Sequence, residues 1–350
     1  MKILFFINHL ANGGAEHIAS ILMNHLCLKH NVTLVVFSNE KESFPTDSRI
    51  TIRKININHK RKILRSFEHM IKINKEIKQN SPDLIISFLT HTNLYTLTAN
   101  LPIGRKIIVS ERNTLNRQSP FVRLLRKILY PVADKIVFVS NFDYKKFNLP
   151  QKSLTIYNPS MFEPFADYSN RQKNIITIAP TNRWYNKGLD LLLKAWGTIS
   201  DKNPDWNLQI LGSINNQIIP DELSVFLSER VEWLGWNKNV SEILRTKSIF
   251  VLASRFEGCP NSLIEAMSQG CACMGTDCEG GMNEIITNGV DGLIARSGNS
   301  DDIAAKLQLL IDDDNLRQRL SANAIEKVKL FDKNTFWEKW DKTINEVTKK

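Results

Sequence analysis

No stretch of this chain is apolar over the roughly 18–20 residues needed to span a bilayer as a helix, and the mean hydropathy is −0.24. Glycine (15) and proline (12) are too sparse in 350 residues for collagen-like or low-complexity character. The five cysteines, three of them close together at Cys271, Cys273 and Cys278, form neither a CxxC pair nor a disulfide framework. Cys271 and Cys273 lack the second cysteine pair or nearby histidine that would complete a metal site, and such cysteine usage fits a reducing cytosol. The opening MKILFFINHLANGG has no positive n-region and no cleavage site, so it reads as a buried first strand instead of a secretory signal. Apolar residues at 42% and charged residues at 23% are ordinary for a globular chain. Domains usually run about 100–200 residues, so two are expected here.

Acidic residues are scarce in the first half. Residues 1–160 hold 24 Lys and Arg against 10 Asp and Glu, a balance of +14; residues 161–350 hold 22 against 26, a balance of −4. Two segments supply most of the excess. In KRKILRSFEHMIKINKEIKQ, residues 60–79, Ile63, Phe67, Met70, Ile71 and Ile77 recur at helical spacing with Arg61, Arg65, Lys72, Lys75 and Lys78 between them. In FVRLLRKILYP, residues 121–131, Val122, Leu125 and Leu129 alternate with Arg123, Arg126 and Lys127. Both read as basic amphipathic helices, either the solvated side of helices packed on a sheet or a surface for anionic lipid, where each Lys or Arg is worth about 1 kcal/mol. Aromatic residues do not interleave with the charge and no nucleic-acid fold signature is present, so a membrane is the better anionic partner and nucleic acid is not expected.

Short apolar β-rich runs (2–8, 32–38, 83–88, 106–110, 135–140, then 174–179, 208–212, 248–254, 271–275) alternate with helical patterns along the chain. Continuous apolar strands separated by helices imply parallel sheets covered on both faces. A polar, proline-containing stretch over 158–173 has no period and reads as a linker. The expected fold class is therefore α/β, with two doubly wound Rossmann-like domains facing across a cleft: an N-terminal domain 1–160, a second domain 161–333, and a C-terminal helix 334–350. That helix carries Phe336, Trp337, Trp340, Ile344 and Val347 at helical spacing and is expected to pack back on the first domain. Ligands in open α/β sheets bind at the carboxyl ends of the strands.

Chemistry-bearing residues fall at successive strand ends. Asn12-Gly13-Gly14-Ala15-Glu16 follows the first strand; glycines allow close backbone approach, and the helix amino terminus suits a phosphate or diphosphate. Arg183 and Lys187 follow a strand of the second domain, where two cations would clamp a diphosphate. Glu257 lies just past a strand and Glu265 on the helix that starts near Asn261. A carboxylate accepts hydrogen bonds from paired hydroxyls of a sugar or ribose, and the amides of Cys259, Asn261 and Ser262 at the helix start suit a phosphate between them. Glu279-Gly280-Gly281-Met282-Asn283-Glu284 is a further glycine turn opening a helix. His91 follows the third apolar run, and Arg112, in Ser110-Glu111-Arg112-Asn113, has the position and charge to meet an acceptor diphosphate. Asp312-Asp313-Asp314 lies between two helical patterns and reads as a helix-end turn, not a DxD metal site.

GGAE at 13–16, NRWYNKG at 182–188, SRFEGCPNSLIEAM at 254–267 and EGGMNEII at 279–286 together resemble family-4 retaining glycosyltransferases of the GT-B architecture, with Glu257-x7-Glu265 as the most specific part. The resemblance covers almost the whole chain. It implies Gly14 near the donor phosphate and reacting centre, Arg183 and Lys187 on the departing diphosphate, Glu257 on donor-sugar hydroxyls, Glu265 on the ribose, and His91 near the sugar. It further implies a UDP-linked hexose or N-acetylhexosamine as donor and a saccharide on undecaprenyl diphosphate as acceptor, as in bacterial O-antigen, capsule or glycoprotein assembly. No metal or other cofactor is required, and the enzyme would be peripheral on the cytoplasmic face of the inner membrane, held by the basic helices near 60–79 and 121–130. Other readings stay open at this stage. They are a nucleotide-sugar epimerase of the same fold, a transferase acting on a lipopolysaccharide core, a dinucleotide-dependent oxidoreductase (although GxGxxG is missing) and a nucleic-acid binder that would leave Glu257 and Glu265 idle.

Overall fold

A computed structural model of the chain describes residues 1–11, 13–38, 44–214, 219–226 and 229–349, with Asn116 described through its backbone alone. The chain divides into two units, Met1–Asn158 with Asn334–Lys350, and Pro159–Lys333. The first contains β1 (Lys2–Ile7), α1 (Gly14–Leu26), β2 (Asn31–Val36), β3 (Thr51–Lys54), α2 (Lys62–Asn80), β4 (Leu84–Phe88), α3 (Thr90–Asn100), β5 (Ile107–Glu111), α4 (Pro120–Leu129), β6 (Lys135–Phe138), α5 (Asn141–Phe147) and β7 (Ser153–Thr155). Among the described residues these strands form one parallel sheet of order β3-β2-β1-β4-β5-β6-β7. The sheet forms because its central strands are near-continuous apolar runs: every residue of β4 and β5 is buried, and each buried Ile, Leu or Phe contributes about 1.5–3 kcal/mol.

The second unit repeats the plan with β8 (Gln172–Ile178), α6 (Trp184–Lys187), α7 (Leu189–Ile199), β9 (Asn207–Leu211), α8 (Asp221–Ser224), β10 (Val231–Gly235), α9 (Val240–Arg245), β11 (Lys247–Leu252), β12 (Phe256–Glu257), α10 (Asn261–Ser268), β13 (Ala272–Thr276), β14 (Glu279–Gly280), α11 (Met282–Ile285), β15 (Leu293–Ala295), α12 (Ser300–Asp312) and α13 (Asp314–Val328). Its sheet has the order β10-β9-β8-β11-β13-β15, and β12 pairs with β14 beyond the strand ends. In both units the chain steps outward from its first strand and then crosses to the other side. The order therefore reverses between β1 and β4 and between β8 and β11, the points where α/β sheets bind ligands.

The last helix, α14 (Lys333–Thr348), belongs to the first unit. Its Phe336, Trp340, Ile344 and Val347 are buried, Trp340 lies 6.0 Å from the Phe88 ring, and Trp337 stacks on His25 at 5.0 Å. Asp341 accepts from His25 Nε2 at 3.0 Å and from Lys29 Nζ at 3.2 Å. The aspartate run at 312–314 joins two helices: Asp313 caps α13 by accepting from the Leu316 amide at 2.9 Å, and Asp314 pairs with Arg317 at 2.6 Å.

The two basic helices differ from their sequence reading. On α2 the buried residues are His69, Ile73 and Ile77, whereas Ile63, Leu64, Phe67 and Ile71 are exposed. On α4 the core-facing stripe is Val122, Leu125 and Leu129, and a second apolar stripe, Phe121 (67%), Leu124 (54%) and Ile128 (58%), faces outward. Arg126, grouped above with the outward cations, is fully buried 3.0 Å from the Glu111 carboxylate. A periodic pattern assigns cations to the wet side by default; here a buried carboxylate draws one in.

Candidate active site

The carboxyl ends of β8, β11 and β13 bring the second unit's motifs together. Lys187 Nζ donates to Glu257 Oε1 at 2.7 Å, and Ser254 Oγ donates to the same oxygen at 2.7 Å. Glu257 is buried. Burial alone would raise its pKa, but the Lys187 charge and hydrogen bond, the Ser254 hydroxyl and the field of Arg183 outweigh burial and lower it. Glu265, on α10, is in the opposite condition. Burial pushes its carboxyl up to about 7, and Lys187 offsets only part of that rise. Two carboxyl groups eight residues apart are thus pushed in opposite directions, one down by a paired cation and one up by burial, a separation characteristic of functional sites.

The turn that presents Lys187 is pinned from several sides. Gly188 lies at φ +61, and a Cβ there would fall 1.9 Å from the Ala253 carbonyl oxygen, so only glycine lets the turn press against the end of β11. Arg255 then locks it. Its amide donates to the Asn186 carbonyl at 2.9 Å and its Nη1 to the Tyr185 carbonyl at 2.8 Å. Its guanidinium forks onto Asp190 at 2.7 and 2.6 Å and lies over the Tyr185 ring at 4.2 Å. Gly281 donates to the carbonyls of Glu257 and Gly258, so the EGG turn supports the backbone of Glu257. Arg183 is exposed at the end of a short 3-10 turn, Thr181–Arg183. Asn261 and Ser262 start α10 and Cys259 precedes it; Ser262 Oγ is buried with no hydrogen-bond partner among the described residues. Sequence reasoning assigned no role to Gly188, Asp190, Ser254 or Arg255, although Gly188, Ser254 and Arg255 stand within motifs it singled out.

In the first unit, Asn12 lies outside the described residues. Gly13 is extended, at φ 177, and its small size is required for another reason: a Cβ would fall 2.0 Å from Glu16 Oε2. The amino terminus of α1, which opens at Gly14, therefore already faces a carboxylate from its own first turn, with His9 Nδ1 3.9 Å from Glu16 Oε1. His91 is exposed on the first turn of α3; desolvation, with Lys62, holds its imidazole below the usual range, against an opposing pull from Glu111. Leu89, which precedes α3, has φ +75, a strained conformation for a residue with a branched side chain. Arg112, expected from its position and charge to meet an acceptor diphosphate, is buried: its guanidinium lies 4.3 Å over Phe88, and Nη1 donates to Asn158 Oδ1 at 2.5 Å.

Two family models cover nearly all of the chain: Glycosyltransferase Family 4 over residues 12–159 and Glycosyl transferases group 1 over residues 162–327. This chain is a family-4, group 1 glycosyltransferase. A Campylobacter jejuni relative, a GalNAc-alpha-(1->4)-GalNAc-alpha-(1->3)-diNAcBac-PP-undecaprenol alpha-1,4-N-acetyl-D-galactosaminyltransferase, is 28% identical over 99% of both chains. A second from that organism, an N-acetylgalactosamine-N,N'-diacetylbacillosaminyl-diphospho-undecaprenol 4-alpha-N-acetylgalactosaminyltransferase, is 28% identical over 95% of this chain and 96% of its own. Among solved structures, Anabaena HepE in complex with UDP matches with a TM-score of 0.81 at 18% identity, over 99% of this glycosyltransferase and all of that chain. The lipopolysaccharide outer core galactosyltransferase WaaB matches with a TM-score of 0.75 at 20% identity, over 98% and 99%. The two doubly wound units are those of the GT-B fold.

Proposed function

We propose that this glycosyltransferase moves a hexose or N-acetylhexosamine from a UDP-sugar, with retention at the anomeric carbon, to a saccharide carried on a lipid diphosphate at the cytoplasmic face of a bacterial membrane. The observation that carries the reading is the Lys187–Glu257 pair beside a Glu265 whose carboxyl is pushed to about 7. Cleavage of a sugar–phosphate bond builds positive charge on the sugar ring and negative charge on the diphosphate. Lys187 is held in place by Arg255's grip on its turn, so its charge is present before the bond breaks and no reorganisation is needed at that moment. Arg183, exposed beside it, completes the cationic clamp. Glu257, ionised, accepts hydrogen bonds from donor-sugar hydroxyls, and Glu265 accepts from the ribose. The start of α10, with Cys259, Asn261 and the unpartnered Ser262 hydroxyl, suits the phosphates between them. Protein cations meet the diphosphate, so the reading invokes no metal.

Three observations support the acceptor side. Both Campylobacter relatives are named for undecaprenol-linked substrates. Positive charge is concentrated in the first half of the chain. Among the described residues no helix is long and apolar enough to cross a membrane, yet α2 and α4 display apolar residues next to Arg61, Arg65, Arg123 and Lys127, the composition of a helix that lies in a lipid interface. A panel of nucleotide sugars incubated with polyprenyl-diphosphate-linked saccharides tests the reading. Transfer from a UDP-sugar, lost in Lys187→Met, is expected; turnover of the donor to an isomerised sugar without acceptor would instead mark an epimerase.

A further inference from the structure

Glu111 ends β5 with a carboxylate buried at the centre of a polar network. Thr90 Oγ1 donates to Oε1 at 2.8 Å, the amides of Arg112 and Asn113 donate to the same oxygen at 3.0 Å each, and the Tyr130 hydroxyl donates to Oε2 at 2.6 Å. Arg126 Nη2 lies 3.0 Å from Oε2. Asn93 ties the network together by donating to the Ser110 carbonyl at 3.0 Å and to the Tyr130 oxygen at 3.2 Å. These donors and the Arg126 counter-charge come from three places. Thr90 opens α3 between the strained Leu89 and the exposed His91; Arg112 and Asn113 begin the loop after β5; Arg126 lies on α4, and Tyr130 directly follows it.

On the far side of α4 is the outward stripe Phe121, Leu124 and Ile128, flanked by the exposed cations Arg123 and Lys127. Residues two apart on a helix point to nearly opposite faces, so Arg126 turns inward between Leu124 and Ile128, which turn outward. One helix therefore presents a lipid-suited surface on one side and the counter-ion of Glu111 on the other. A buried carboxylate cannot be left without its cation at small cost. Displacement of α4 must either carry Glu111, with the Arg112–Asn113 backbone and the start of α3, or expose an uncompensated charge.

We propose that Glu111 is a positioning residue for the acceptor step, and that Arg126 and Tyr130 tie its placement to the seating of α4 on an anionic bilayer. The proposal rests on the membrane-acceptor reading above and adds to it a physical link from the lipid surface to the acceptor-side strand ends. Glu111 touches neither substrate in this scheme; it acts through the α3 start and the loop it holds. A bilayer that fixes α4 lowers the KM for acceptor, and loss of the link removes that effect.

The test uses the full chain, a short-chain polyprenyl-diphosphate-linked N-acetylhexosamine as acceptor, and vesicles of phosphatidylglycerol and phosphatidylethanolamine. The paired variant Glu111→Gln/Arg126→Met removes both charges together, so neither remains buried alone. Expected is unchanged vesicle co-sedimentation and donor KM, an acceptor KM raised roughly tenfold, and no fall in that KM when vesicles are added. Tyr130→Phe removes the hydrogen bond donated to Glu111 and the one accepted from Asn93 and keeps the ring; a smaller shift in the same direction is expected, and its absence counts against the proposal even if the paired variant fails to fold. Donor and acceptor KM rising together would reduce Glu111 to a structural role and overturn the proposal. A wild-type chain that does not bind vesicles ends the membrane reading and this link with it; vesicle binding with an unaltered acceptor KM ends the link alone.

Discussion

Glu257 and Glu265 make opposite demands on pH. Glu257 is held ionised by Lys187, so Glu257→Gln should keep the fold but leave Lys187 without its anion and the sugar hydroxyls without their acceptor. Transfer should fall about 10²–10³-fold, measured as kcat/KM on a chain with wild-type circular dichroism and a thermal midpoint lowered by the unpaired Lys187. Glu265 is raised from 4.5 to about 7. Between those values the folded chain keeps a proton that the unfolded chain loses, so stability falls as pH rises through that window and levels off above it. Glu265→Gln should remove that decline in urea midpoints measured from pH 4.5 to 8. A carboxylate that accepts from a ribose is needed in its ionised form, so donor KM should drop as pH passes about 7 in the wild type and lose that pH dependence in the variant.

At the scale of elements, α14 is expected to be a structural strap. Trp340 is fully buried against Phe88 and Phe336, and Trp340→Ala should cost about 3–5 kcal/mol in denaturant unfolding. A loss below about 1 kcal/mol would mean α14 is only loosely docked. The central strands were legible because buried parallel strands are near-continuous apolar runs, as in Leu84–Phe88 and the Ile249–Leu252 part of β11. Thr51–Lys54 and Val231–Gly235 were not, because edge strands carry charged and half-buried residues and break that pattern. Leu293–Ala295 was too short to register. The donor motifs were visible as residues, but Arg255's clamp on the Lys187 turn was not, since its partners Tyr185, Asn186 and Asp190 lie some 65–70 positions away in sequence. The inward turn of Arg126 was hidden for a similar reason: its carboxylate belongs to another element.

For the whole molecule, in the proposed membrane reading the +14 balance of residues 1–160 and the apolar stripes of α2 and α4 act in series. In that proposal charge draws the protein to an anionic surface, and Phe121, Leu124 and Ile128 then enter it. Replacing those three with serine should abolish vesicle co-sedimentation while leaving the melting temperature within a few degrees, because none of the three supports the core. Binding that survives only at low salt would indicate charge alone. The central claim concerns the second unit, whose Lys187, Arg183, Glu257 and Glu265 are held to grip an activated sugar through its diphosphate. A crystal structure of the protein with bound UDP tests it most directly. The diphosphate should lie within hydrogen-bonding reach of Lys187 and Arg183, with the ribose hydroxyls on Glu265; UDP seated away from these four side chains would contradict it.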